Sequence, residues 1–162
     1  MTDLLHFEDF HAGQIYDLGR HRLTPDEIIA FAHEFDPQPQ HLDAEAAKRS
    51  ILGGLAASGW HLCSLAMRML VDGLLSHAES LGAPAVDDVQ WRRPVLANDL
   101  LRMDAEVLDT RESSSGRRGY VRMRFSMYRL KDGAADERVM QFSAPLMIGR
   151  KAEGPRPSTS SG

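Results

Sequence analysis

The chain has 162 residues, of which 43% are apolar and 26% charged, as is typical of one soluble globular domain. Its 19 basic and 23 acidic residues give a net charge of −4, which argues against a nucleic-acid-binding protein. The single cysteine excludes an internal disulfide and an all-cysteine metal site, and it fits a reducing compartment.

No segment has the features of a signal peptide or a membrane span. Met1–Phe10 is acidic and has no long apolar run. Polar residues interrupt the most apolar stretch, Leu52–Leu75, so it falls short of a transmembrane helix. We therefore expect a cytoplasmic protein with no membrane partner.

The first predicted helix begins after Thr24, which can cap it. Pro25 suits the first helical position, and Glu27 stands where a capping box requires an acidic side chain. Apolar residues then recur at three- and four-residue steps up to Phe35, which indicates one buried face. The prolines that follow Asp36 end this helix.

Two further helices are predicted before the middle of the chain. A short one is expected from Asp43, its cap, to about Ser50. Ser58 can cap a long helix that runs to about Leu75. This helix is apolar nearly all round, a pattern that predicts a buried helix around which the rest of the chain must wrap.

The second half of the chain reads as strands. Apolar and polar residues alternate from Leu100 to Leu108 and from Tyr120 to Tyr128, the period of a half-buried strand. Further strands are expected at Val86–Val95 and Arg138–Ile148. Turn signals separate the last three strands, Ser113–Gly116 and Asp132–Gly133.

This order of elements, helices first and then an antiparallel meander, predicts an α+β fold. One apolar face of a curved sheet would wrap around the long central helix. We expect a single domain over residues 1–150. The remaining residues, 151–162, are rich in Gly, Pro and Ser and are expected to be disordered.

The densest polar cluster lies between the first two helices, from Asp36 to Asp43. Prolines at 37 and 39 restrict the backbone, so they limit the positions of Asp36 relative to His41. An aspartate and a histidine held in this way can share and activate one water. The alternative, which the spacing alone favours, is a helix-end aspartate and a surface histidine.

The start of the long helix is a second candidate site. Its first backbone N–H groups are unpaired and lie at the positive end of the helix dipole. Gly59 has no side chain, so a substrate carbonyl could approach its N–H closely and be stabilised as an oxyanion. The alternative is an ordinary Ser58 cap with a glycine that allows close packing.

Together these features resemble the hydratase signature of the MaoC-like, (R)-specific enoyl-CoA hydratase family. The resemblance is densest over Phe31–Met69. The family motif Asp-x-Asn-Pro-x-His is matched at Asp36, Pro39 and His41, and a glycine follows the histidine after 18 residues. The resemblance implies a hot-dog fold, a curved antiparallel sheet wrapped around a long helix.

The resemblance also implies a chemistry. Asp36 and His41 would deprotonate a water that attacks the β-carbon of a trans-2-enoyl-CoA, and the Gly59 N–H would hold the thioester oxygen. The reverse reaction dehydrates a 3-hydroxyacyl-CoA. No metal or cofactor is implied beyond the coenzyme A of the substrate, and a homodimer is expected. The residues expected to contact the substrate are Gln38, Pro39, Ser58 and Trp60.

Three positions depart from the family pattern. Gln38 replaces the usual Asn, Ser58 the usual His, and Met67 a polar residue found in some members. These departures predict a divergent subgroup with an altered acyl pocket. Four arginines are candidates for binding the coenzyme A phosphates, namely Arg92, Arg93, Arg117 and Arg118.

Two other functions remain open. A hot-dog thioesterase usually carries a carboxylate on the central helix, and this helix offers only Asp72, near its far end. A non-catalytic acyl-binding domain would need neither Asp36 nor His41 for its activity. Cys63 is expected to be an unreactive core residue, because buried thiols are inert.

Overall fold

The computed structural model describes residues 3–152. Within that range the first strand precedes a block of four α-helices, and five further strands come after the helices. The elements are β1 (Ile15–Arg22), α1 (Pro25–Phe35), α2 (Pro39–Leu42), α3 (Ala44–Lys48), α4 (Gly59–Gly73), β2 (Ser80–Gly82), β3 (Asp87–Trp91), β4 (Leu100–Glu112), β5 (Arg118–Arg129) and β6 (Glu137–Gly149).

The strands form one antiparallel sheet in the order β1-β4-β5-β6-β2, and β3 also pairs with β6. The meander of β4, β5 and β6 confirms the three predicted long strands. In β4 the alternation places Leu101, Met103, Ala105 and Val107 in the core. The sheet curves around α4, which confirms the predicted α+β hot-dog fold.

The long helix α4 begins and ends close to its predicted bounds, but it is not buried all round. One stripe packs against the sheet through Leu62, Leu65, Ala66, Met69 and Leu70. The other face is open, since Trp60 is 64% exposed and Met67 is 51% exposed. The sheet covers only one side of the helix, which leaves an apolar face on the surface of the single chain.

The prediction that helices come first is wrong, because β1 precedes them. This strand occupies one edge of the sheet and buries only Leu18 completely, so its sequence shows little alternation. The chain between the first two predicted helices also differs from a plain loop. Pro39 opens a single helical turn, α2, before Asp43 caps α3.

The last described residues contact the segment that precedes β1. Lys151 lies against Asp9, with 3.0 Å between Nζ and Oδ1. The rest of the predicted tail, residues 153–162, lies outside the described range. Among the helices of residues 3–152, none is long and apolar enough to cross a membrane.

Candidate active site

The chain places Asp36 and His41 side by side at the junction of α1 and α2. Asp36 caps the C-terminal end of α1, directly after Phe35, and Pro37 stops the helix there. Pro39 then starts the single turn that carries His41. The His41 Nε2 atom lies 3.4 Å from Asp36 Oδ2, and the two side chains are only 8% and 19% exposed.

The orientation of the His41 ring is fixed by the backbone. Its Nδ1 atom lies 2.6 Å from the carbonyl oxygen of Ala56. A carbonyl oxygen only accepts hydrogen bonds, so Nδ1 carries the proton of the neutral ring. The lone pair of the neutral ring is therefore on Nε2, the atom that faces Asp36. This is the arrangement that a general base requires.

Asp36 is held as a carboxylate. Hydrogen bonds from the Gln38 amide, 2.6 Å from Oδ1, and from the Ser58 hydroxyl lower the pKa of Asp36, and the charge of protonated His41 acts in the same direction. Partial burial opposes these effects without overcoming them. At neutral pH Asp36 is thus an acceptor, able to hold a water but not to donate a proton.

The beginning of α4 adds a donor to the site. Ser58 is completely buried, and its Oγ accepts the Trp60 N–H at 3.3 Å. This cap leaves the Gly59 N–H with no partner among the hydrogen bonds of the described residues. It stands at the positive end of a 15-residue helix and is a ready site for an oxyanion.

A residue that sequence reasoning missed, Trp91, lies against this donor. A Cβ atom on Gly59 would come within 2.7 Å of Trp91 Cε2, so only a glycine at this position leaves room for the ring. The Trp91 Nε1–H donates to the Gly59 carbonyl oxygen at 3.0 Å, and Trp60 meets the ring edge-on at 5.5 Å. No local motif marks Trp91, because its partner is 32 residues earlier in the chain.

These groups line one cleft of about 390 Å³, whose wall is otherwise mostly apolar. We call it the polar cleft after Asp36, His41 and Ser58, the polar groups that it brings together. Asp36, His41, Ser58, Gly59 and Trp60 all contribute to its wall. The cleft does not include the other two expected contact residues. Gln38 instead bonds to Asp36 from the exposed side, and Pro39 is exposed at the start of α2.

The four candidate arginines are not brought together. Arg92 and Arg93 line the polar cleft. The end of β5 nearest this cleft is the one with Arg129, whose Nη1 atom donates to the carbonyl oxygen of Pro94 in the cleft wall at 3.0 Å. Arg117 and Arg118 lie at the opposite end of that strand. Of the four, only Arg92 and Arg93 therefore lie at this cleft.

Two other expectations concern α4 and metals. Cys63 is half-buried, and burial raises the pKa of its thiol, an effect that a hydrogen bond from Trp91 partly offsets. Met67 is on the open face of the helix and does not line the polar cleft. Within residues 3–152 there is no cluster of His, Cys, Asp and Glu that could hold a metal ion.

The hot-dog fold, with an Asp/His pair facing a helix N-terminus, defines the class of protein. A family model described as "MaoC like domain" matches residues 10–125. The chain belongs to the MaoC-like family, whose members are hydratases and dehydratases.

Individual proteins are similar to this chain over most of its length. A MaoC-like dehydratase from Rhodospirillum rubrum has a TM-score of 0.84 and 36% identity, and the match covers 92% of this chain and 99% of that one. The (R)-hydratase PhaJ1 from Pseudomonas aeruginosa shares the fold, with a TM-score of 0.74, 20% identity and coverage of 98% and 97%. YdeM, an uncharacterized protein from Bacillus subtilis (strain 168), is 26% identical over 125 residues, which are 77% of this chain and 88% of YdeM.

Proposed function

We propose that this protein is a hydro-lyase that adds water to a trans-2-enoyl-CoA, or in reverse dehydrates a 3-hydroxyacyl-CoA. The observation that carries the proposal is the meeting of three groups in the polar cleft. They are the Asp36 carboxylate, the His41 Nε2 atom 3.4 Å from it, and the Gly59 N–H. A base, a water acceptor and an oxyanion donor are what conjugate hydration needs.

The first step uses the Asp/His pair. A water accepted between Asp36 Oδ2 and His41 Nε2 gives one proton to Nε2, while its oxygen forms a bond to the substrate β-carbon. The Ala56 carbonyl keeps the Nδ1–H in place, so the ring accepts this proton only on Nε2. The Asp36 carboxylate then stabilises the imidazolium that forms.

The second half of the reaction uses the start of α4. As the new C–O bond forms, the electron pair of the C=C bond moves toward the thioester, whose oxygen becomes enolate-like. The Gly59 N–H stabilises that charge. The enolate collapses as the proton on His41 Nε2 passes to the α-carbon, so one water is added and no redox partner is needed.

Coenzyme A would leave the polar cleft past Arg92 and Arg93. Arg93 is paired with Glu137 at 3.2 Å, whereas Arg92 bonds only the neutral Gln90 side chain among the described residues. Arg92 is therefore the more available cation for a phosphate. We propose that the enzyme acts in the cytoplasm on a soluble thioester and has no cofactor beyond coenzyme A.

The same proposal includes a homodimer. Within residues 3–152, β3 pairs with β6 on one side and has no strand on its other side, so it offers a free edge. Large apolar side chains are exposed along this part of the surface. They are Trp60, Met67, Leu81, Val86 and Trp91. A second copy would cover them and pair the free edge.

A thioesterase fits the geometry less well. The carboxylate of α4, Asp72, is ion-paired with Arg68 at 2.7 Å and lies outside the polar cleft. It is not placed to attack a thioester or to activate a water at Gly59. The carboxylate that does face the cleft, Asp36, is paired with a histidine, as hydration requires.

The test is a paired assay on crotonyl-CoA, which follows loss of the enoyl absorbance and release of free thiol. Hydration without thiol release is expected from the wild type. His33→Ala is a matched control, since His33 is exposed on α1 and does not line the polar cleft. Thiol release without hydration would replace the proposal with a thioesterase. Folded protein that shows neither activity on any chain length would leave only a binding domain.

A further inference from the structure

A second cavity, of about 280 Å³, lies between α4 and the β2–β3 edge of the sheet. Its wall is almost entirely apolar and contains none of the groups assigned to catalysis. We call it the apolar cavity. The residues that define its position include Cys63, Met67, Leu70, Val89, Phe142 and Ala144.

The apolar cavity and the polar cleft follow the same helix. Gly59 lines the cleft, and Cys63 and Leu70 line the cavity, four and eleven residues further along α4. At 1.5 Å per residue the cavity therefore extends to about 16 Å beyond the Gly59 N–H. An acyl chain that begins at Gly59 and runs along α4 would enter it.

Trp91 stands between the two spaces. Its ring covers Gly59 and lines the polar cleft, and Cys63, one helical turn beyond Gly59, lines the apolar cavity. Val89, two residues earlier on β3, lines the cavity itself. The ring is held by its bond to the Gly59 carbonyl and by the edge-on contact with Trp60.

Resting on the proposed function, we infer that Trp91 determines the acyl-chain length of the substrate by closing the passage from the polar cleft to the apolar cavity. With the ring on Gly59, only a short acyl group fits beside the Asp/His pair. Removal of the ring would join the two spaces, and the apolar cavity would accept a medium-length chain. The occupant is an unbranched acyl chain, because the wall offers apolar contact and few polar partners.

The test compares crotonyl-CoA with trans-2-octenoyl-CoA as substrates of the wild type, Trp91→Ala and Trp91→Phe. A buried methylene contributes about fourfold to binding, so the octenoyl-to-crotonyl ratio of kcat/KM should rise at least about tenfold in Trp91→Ala. Trp91→Phe keeps a ring over Gly59 and should stay near the wild-type ratio. Trp91→Leu is the second truncation, should the alanine variant fail to fold.

A filled cavity provides the reverse test. Ala144 lines the apolar cavity, so Ala144→Leu in the Trp91→Ala background should return the ratio toward that of the wild type. Inhibition by octanoyl-CoA relative to butyryl-CoA should likewise be strongest in Trp91→Ala and weaker in the wild type and in the double variant. This measurement does not depend on turnover. An unchanged ratio in both truncations, with crotonyl-CoA still hydrated, overturns the role of Trp91 alone. A wild type that hydrates neither substrate overturns the proposed function and this inference with it.

Discussion

The Nδ1 atom of His41 lies 2.6 Å from the carbonyl oxygen of Ala56, fifteen residues later in the chain. This bond ties the single turn α2 to the segment that leads into α4. It brings the base and the helix N-terminus into one cleft and selects the tautomer with a free Nε2. The chemistry of the site depends on this contact as much as on the Asp/His pair itself.

The first prediction concerns this base. His41→Gln keeps a side-chain amide that can donate to the Ala56 carbonyl but has no titratable nitrogen. We expect kcat/KM for crotonyl-CoA hydration to fall by roughly 10²- to 10⁴-fold, the usual contribution of a general base. His33→Ala should be unaffected, and near-normal turnover by folded His41→Gln would show that another group is the base.

The second prediction concerns the pH dependence of stability. The pKa of Asp36 is lowered in the folded protein, so its carboxylate stabilises the fold above its unfolded pKa of about 4. That stabilisation is lost as the pH falls through the lower, folded pKa. Urea unfolding should show Asp36→Asn less stable than the wild type at pH 7, with the gap closing in acid. An equal gap at both pH values would contradict the pKa direction.

The third prediction separates the two roles of Ser58. Ser58→Ala removes the cap of α4, at a cost of about 1 kcal/mol in unfolding free energy. It also removes a hydrogen bond that lowers the pKa of Asp36, so an NMR titration of the Asp36 carboxyl should show a higher pKa than in the wild type. Ser50→Ala is the control: it deletes a hydroxyl that bonds the Ala47 carbonyl outside the polar cleft. It should change stability but leave the pKa of Asp36 unchanged.

The fourth prediction tests why residue 59 is a glycine. Gly59→Ala keeps the N–H donor but drives a Cβ to within 2.7 Å of Trp91, so we expect lower stability and weaker hydration. The Gly59→Ala/Trp91→Ala double variant removes the clash and should recover crotonyl-CoA hydration relative to Gly59→Ala. If the double variant stays inactive although it is folded, the glycine is needed to let the substrate approach and not only to make room for the Trp91 ring.

The fifth prediction concerns the free edge of the sheet. Val86→Asp places a charge on the exposed apolar surface beside β3 and should shift a dimer toward monomer in light scattering. Ile15→Asp is a matched control, because Ile15 is also exposed but lies on β1 at the opposite edge. A wild type that is monomeric at micromolar concentration would contradict the dimer.

The sequence predicted the elements whose signals are local. The capping box of Thr24 and Glu27 forms as expected, and the cap of Ser58 starts α4. The long strands β4, β5 and β6 were predictable because their buried residues alternate strictly over many positions. The meeting of Asp36 and His41 followed only from the family resemblance, because the spacing alone favoured separate roles; in the structure two prolines and one helical turn bring the two side chains together.

The remainder depends on contacts between distant parts of the chain. β1 is an edge strand with little burial, so it has no clear alternation. Trp91 reaches Gly59 only because β3 and α4 meet in the fold, and no motif records that contact. The open face of α4 could not be predicted from its composition, since an apolar helix can be covered by its own chain or left exposed.

The most direct test of the central claim is a double-variant cycle on crotonyl-CoA hydration with Asp36→Asn, His41→Gln and the two combined. If the pair activates one water, each single change removes most of the activity, and the double variant loses little more than the worse single. We expect that non-additive result, with His33→Ala equal to the wild type. Wild-type rates in the double variant, or losses that simply multiply, would contradict an Asp36/His41 unit.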